Sequence, residues 1–216
     1  MKTAFFIDAE FFLHRLRAIR GTQTADQAVE CLAQLADEHL KLLKRQPEQL
    51  YRVLVYDCAP LNKKLQYPIS NKPHHLSKTP TYTFRVALHE RLLETRKVAL
   101  RLGRLNEKYG QWTIRPDAIK ELLNKERTVE QLSDDDFKYD VEQKGVEMRI
   151  GLDIASIATK RLADQMVLVA GDSDFVPAAK MARREGIDFI LDTMGAPIPT
   201  DLREHVDGVQ TVTKTT

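Results

Sequence analysis

Cysteine is scarce: the chain holds only Cys31 and Cys58, with no CxxC or Cys/His spacing. That argues against a disulfide framework and against a structural zinc site, and makes a reducing cytoplasm the expected setting. Long apolar runs are missing too. The opening MKTAFFIDAEFF is broken by Asp8, so it is too short for a membrane span and wrongly flanked for a secretory leader. Neither GxGxxG nor GxxxxGK occurs, which leaves dinucleotide and P-loop nucleotide binding without support. His89-Glu90 begins like the zinc-protease HExxH, but Leu93 stands where the second His belongs. An excess of one charge is also absent. The 33 Lys and Arg against 31 Asp and Glu give a net charge of +2, and that balance by itself attracts no polyanion. What is present is core-forming material: 43% apolar and 30% charged residues over 216 positions, the profile of one enlarged globular domain.

Four short apolar runs each end at an acid or at Gly: TAFFI before Asp8, RVLVY before Asp57, MVLVA before Gly171-Asp172, and IDFIL before Asp192. Continuous runs rich in Val, Ile and Phe mark strands covered on both faces. VEMRI before Gly151 is a fifth, more amphipathic strand candidate, and Asp192 reads as a loop residue. Helical patterns lie between the runs. Thr24 with Gln27 forms a capping box ahead of Ala28, Leu32, Leu35 and Leu43 at helical spacing. Further helices are expected at about 152–163 and 175–185, the second closed by Gly186. Strand and helix in alternation predict a mostly parallel sheet flanked by helices.

A segment at about 61–143 interrupts this rhythm and reads as an insertion. From Leu61 to Arg115 there are 12 Lys/Arg against 3 Asp/Glu; from Pro116 to Glu147 there are 5 against 10. The balanced total is therefore a cancellation between a basic arm and an acidic one. Asp134-Asp135-Asp136 reads as a solvated loop.

In an open parallel sheet, functional groups gather beyond the carboxyl ends of the strands. Asp8 follows the first strand, Asp172 and Asp174 follow MVLVA within GDSDF, and Asp153 is expected at the opening of the helix after VEMRI. Two carboxylates ~5 Å apart repel by about 3 kcal/mol at an effective dielectric of 20, and a divalent cation reverses that sign. All-oxygen ligands suit Mg²⁺ or Mn²⁺. Such an ion generates hydroxide from water and stabilises a phosphoryl transition state, so the acids point to phosphodiester hydrolysis. The competing reading is that Asp153, Ser173 and Asp172 merely cap helices. Asp57, Ser173 and Glu10 are candidate supporting groups around the four acids.

FFIDAEFF, VLVYD, KGVEMRIGLDIASIA and ADQMVLVAGDSDFVPAAKMARREGI together resemble the NYN family, in its LabA-like branch of the PIN-like nucleases. Lys144 to Ile187 carries the most specific part of the likeness, which spans about 1–60 and 144–192. The resemblance implies a Rossmann-like three-layer α/β/α fold and a metal-dependent ribonuclease site formed by Asp8, Asp153, Asp172 and Asp174. The family commonly has Asn three residues after its first Asp; here that position is Phe11, with Glu10 beside it.

The basic arm suggests the polyanion. Lys63, Lys64, Lys72, Arg85, Arg96 and Arg101 are candidate RNA contacts, interleaved with Tyr67, Tyr82, Phe84 and Trp112, a mixture that neutralises phosphates and stacks unpaired bases. The expected function is a Mg²⁺- or Mn²⁺-dependent endoribonuclease acting on single-stranded RNA, with homo-oligomerisation left open. Two alternatives remain: a non-catalytic RNA-binding module of the same fold, and a phosphatase of the haloacid dehalogenase type with Asp8 as nucleophile. The phosphatase fits less well, because Glu10 stands where its general-acid Asp belongs.

Overall fold

The computed structural model describes residues 1–213. Its elements, in chain order, are β1 (Thr3–Asp8), α1 (Ala9–Arg20), α2 (Ala25–Leu42), β2 (Leu50–Cys58), β3 (Lys64–Gln66), β4 (Pro73–His75), α3 (Pro80–Glu94), β5 (Val98–Leu105), β6 (Gln111–Ile114), α4 (Pro116–Leu123), β7 (Phe137–Asp140), β8 (Gln143–Lys144), α5 (Val146–Thr159), β9 (Gln165–Val169), α6 (Val176–Arg184), β10 (Asp188–Asp192), α7 (Thr200–Glu204) and β11 (Gly208–Val209). Seven strands form the central sheet in the order β11-β10-β9-β1-β2-β5-β8. All neighbours run parallel except β5 and β8. The architecture is a three-layer α/β/α sandwich of the PIN-like kind.

The four apolar runs are strands because both of their faces are covered. Along β1, Ala4 and Phe6 join the core that includes Ile150 and Ile154 of α5 and Ala179 of α6. Phe5 and Ile7 join the opposite core, with Leu16 of α1, Leu35 of α2 and Leu88 of α3. Each side chain thus enters a core whichever way it points, so the run shows no alternation. The capping box forms as expected: Thr24 Oγ1 accepts from the Gln27 amide at 3.2 Å, and Gln27 Oε1 accepts from the Thr24 amide at 2.9 Å. Gly186 closes α6 at φ +80, in the left-handed region that L side chains resist.

Three sequence expectations change. VEMRI is no strand. It is the first turn of α5, in which Val146, Ile150, Ile154 and Ile157 are buried at helical spacing. Asp153 therefore lies about two turns inside the helix rather than at its opening. Asp192 is not a loop residue: fully buried at the end of β10, it accepts from the Met194 amide at 2.7 Å and meets His39 Nε2 of α2 at 2.8 Å. And the stretch 61–143 is not foreign to the sheet, since it contributes α3, packed on α2, and the strand β5. Arg101 and Arg104 hid that strand by breaking its apolar run. What stands outside the sandwich is a pair of hairpins, β3-β4 and β6-β7, with α4. The triple-Asp segment helps to hold these in place. Asp134 accepts from Ser70 and from the Ile69 amide, and Arg127 pairs with Asp136.

Candidate functional site

From β1 the chain builds the sheet in one direction through β2 and β5, then returns to build β9, β10 and β11 on the other side of β1. β1 and β9 therefore flank the place where strand order reverses. A crevice opens there beyond the carboxyl ends, which is where open α/β sheets bind ligands. Asp8 ends β1, and Gly171-Asp172-Ser173-Asp174 follows β9 in the register next to it.

Asp8 is the N-cap of α1, where its Oδ1 accepts from the amides of Glu10 (3.0 Å) and Phe11 (3.2 Å). Burial pushes its carboxyl up to about 6; the two amide bonds pull it down, and the charges of Glu10 and Glu147 push it further up. A half-buried acid beside two more acids suits a cation far better than it suits an empty apolar wall. Asp172 is exposed and caps the short turn Ser173–Phe175 through the Asp174 amide at 3.0 Å, while Asp174 itself is exposed. The capping reading holds for Asp172 but not for Asp153, which lies inside α5, or for Ser173; Asp8 is a cap the sequence reading did not name, and it and Asp172 each keep an oxygen that takes no part in the cap. The Ser173 hydroxyl donates to Asp201 Oδ1 at 2.7 Å and is occupied there.

Asp153 approaches from α5. The Tyr56 hydroxyl donates to its Oδ2 at 2.9 Å, and Arg101 Nε of β5 lies 3.3 Å from the same oxygen. Tyr56 pairs in register with Asp8, so one tyrosine ties the helix acid to the strand next to Asp8. Burial, then the Asp153 charge, drives the Tyr56 phenol well above its ordinary range, so it stays a hydrogen donor. Asp8, Asp172 and Asp174 thus follow the carboxyl ends of neighbouring strands, with Asp153 tied to that end of the sheet through Tyr56. Among the described residues no group of three or more His, Cys, Asp or Glu side chains is placed to hold a metal ion. Carboxylate oxygens are the ligands hard cations such as Mg²⁺ take, and such an ion needs only one or two of them when water and substrate oxygens complete its shell.

Sequence reasoning missed Glu147. It lies in the first turn of α5, and its charge acts on both Asp8 and Cys58. Reading VEMRI as a strand concealed it; the helical spacing of Val146, Ile150 and Ile154 was the signal that would have found it. The reading also missed what holds Asp57. This acid is 1% exposed, accepts from Arg85 and from the Cys58 amide at 2.8 Å, and lies 2.8 Å from His89 Nε2. Burial alone would raise its pKa, but the His89 and Arg85 bonds hold it below the usual carboxylate value.

The basic candidates separate accordingly. Arg85 is bound to Asp57, Arg101 to Asp153, and Lys63 donates to the Tyr139 hydroxyl at 3.2 Å. Lys64 and Lys72 are exposed on the β3-β4 hairpin. Arg96 precedes β5, so it lies at the amino edge of the sheet, opposite the acids. Glu10 Oε2 accepts from Gln143 Nε2 at 2.6 Å.

Phe11, at the position where the family commonly carries Asn, packs its ring against Gly171; a Cβ added there would come within 2.5 Å of the ring. Gly171→Ala is therefore expected to destabilise the fold by about 1–3 kcal/mol through overpacking, with Phe11→Ala restoring part of the loss. Thermal melts of the single and double variants measure this, and additive losses would refute the contact.

No curated protein and no solved structure matches the chain. The sequence model of the NYN domain matches residues 88–212. That span includes Asp153, Asp172 and Asp174 and leaves β1 with Asp8 outside. It covers more than half of the chain, and with the sandwich and its acidic edge it shows that the chain belongs to the NYN domain family, a family of PIN-like nucleases.

Proposed function

We propose that this chain is a divalent-metal-dependent endoribonuclease of the LabA-like branch that cuts single-stranded RNA in a cytoplasmic setting, with Asp8, Asp153, Asp172 and Asp174 as its working acids. The observation that carries this reading is the position of Asp8, a raised carboxyl at the reversal of strand order, next to the Asp172–Asp174 turn. In this proposal Asp8 and Asp172 would hold Mg²⁺ or Mn²⁺, and Asp174 would orient the attacking water. When bound, the ion lowers the pKa of water and offsets charge on the phosphate. Asp153 is a positioning group, held by Tyr56 and Arg101. Asp57 holds Arg85 and His89, and Glu10 borders the crevice. Exposed Lys64 and Lys72 are the RNA contacts that keep their charge available.

A second reading, an RNA-binding module without cleavage, draws on Phe11 filling the usual Asn position and on Arg101 neutralising Asp153. Incubating purified protein with single-stranded RNA and Mn²⁺ separates the two. Cleavage is expected to disappear with chelator and to return with excess metal, and Asp172→Asn is expected to lose at least about tenfold. Salt-sensitive binding without strand scission would favour the module. Turnover of a small phosphomonoester in place of RNA would favour the phosphatase.

A further inference from the structure

A cleft of about 560 Å³ opens between the two hairpins and the carboxyl end of β2, with Glu10, Asp57 and Cys58 at its inner end. Its outer wall is aromatic. Tyr67 and His74 of the first hairpin region lie 4.4 Å apart, centroid to centroid. Trp112 of β6 lies 5.5 Å from Tyr67, 5.7 Å from His74 and 5.5 Å edge-on from Tyr139 of β7. Trp112 is fixed by donation from its Nε1 to the Gln66 carbonyl at 3.0 Å, and these rings are only partly buried. They join the two hairpins, and all four line the cleft. Of the other aromatics that the basic arm carries, Tyr82 lines the same cleft, whereas Phe84 packs on the sandwich core.

The charge of the cleft says what enters it. With the Asp57–Arg85 pair set aside, Glu10, Asp134, Asp135 and Asp140 line it against Arg115 and Lys138. Such a lining repels phosphates. It leaves stacking as the attraction on offer, and a nucleobase is an uncharged flat ring whose stacking on an aromatic side chain is worth about 1–3 kcal/mol. Because Glu10 lies in the first turn of α1, which Asp8 caps, a strand whose phosphate reaches the acidic edge places a neighbouring nucleotide beside this cleft.

We propose that the hairpin cleft is a base-binding subsite that receives an unpaired nucleobase of the RNA strand, stacked on the Tyr67–His74–Trp112 wall while its phosphates stay outside. This rests on the RNA reading above but not on cleavage.

Trp112 is the only tryptophan in the chain, so its fluorescence reports on the cleft alone. The test titrates the protein, in chelator, with a fluorophore-labelled single-stranded RNA oligomer while following anisotropy and Trp112 emission together. An abasic oligomer of equal length serves as the control. Quenching that saturates with the anisotropy change, and fails with the abasic strand, is expected. Tyr67→Leu is expected to weaken binding about 5- to 150-fold, the span that 1–3 kcal/mol implies, and an unchanged Trp112 emission maximum before RNA is added shows that the hairpins still fold. Binding without quenching, or equal quenching by the abasic strand, overturns the subsite and leaves the RNA reading intact. No anisotropy change at all overturns both.

Discussion

Asp8→Asn is expected to lower RNA cleavage by about 100- to 1,000-fold, the scale of removing one preorganised electrostatic group from a reaction centre. Asn is an equally good N-cap, so the variant keeps the bonds to the Glu10 and Phe11 amides and removes only the charge. The same substitution is expected to stabilise the folded protein in metal-free buffer. The folded carboxyl titrates near 6 against an ordinary 3.8, so the native state holds the proton more tightly than the unfolded chain. Stability then falls as pH rises from about 4 to about 6, by roughly 2–3 kcal/mol for this group. At pH 8 Asp8→Asn should melt several degrees above wild type, at about 2–4 °C per kcal/mol for a chain of this size. At pH 4 the two should coincide. Cleavage, which needs the same group as a carboxylate, should rise at lower pH than this metal-free window, because a bound cation favours the ionised form. Activity and stability thus move in opposite directions around Asp8. Melts and rates across pH 4 to 8 check both, and an Asp8→Asn that melts well below wild type at pH 8 would show that the charge serves the cap.

Arg85→Leu is expected to cost about 3 kcal/mol or more, because it leaves the Asp57 carboxylate buried with only His89 and one amide to meet it. That corresponds to a fall in melting temperature of about 6–12 °C. The double variant Asp57→Asn with Arg85→Leu should recover much of the loss, since it removes the stranded charge. The folded pKa of Asp57 is depressed, so the stability this cluster supplies is fully present above about pH 4 and is lost as pH falls through the folded value. The gap between wild type and Arg85→Leu should accordingly narrow only in acid. If Arg85→Leu leaves the melt unchanged and weakens RNA binding instead, the arginine contacts phosphate, as its place in the basic arm first suggested.

Much of the sandwich was legible because its signals are local. TAFFI, RVLVY, MVLVA and IDFIL declare doubly covered strands by their own composition, and Thr24 with Gln27 declares a helix start within four residues. The acids at the ends of β1 and β9 were legible for the same reason. α1 and β5 were not read. The helix α1 follows β1 without a break in its apolar character, and β5 carries arginines where a covered strand would carry valine. VEMRI was misread because five residues do not separate a strand from the first turn of an apolar helix. The burial of Ile150 and Ile154 on the sheet settles that choice, and with it the depth of Asp153 and the position of Glu147.

By itself the sequence determined the strands β1, β2, β9 and β10, that acids follow them, and which family the pattern resembles; each of these depends on neighbours along the chain. Only the tertiary structure decided which charges remain available. Arg85 meets Asp57 across 28 residues, and Tyr56 meets Asp153 across 97. A charge is neutralised, or a carboxyl lifted toward 6, by whatever packs within a few ångströms of it, and that company is assembled by strand order rather than by distance along the chain.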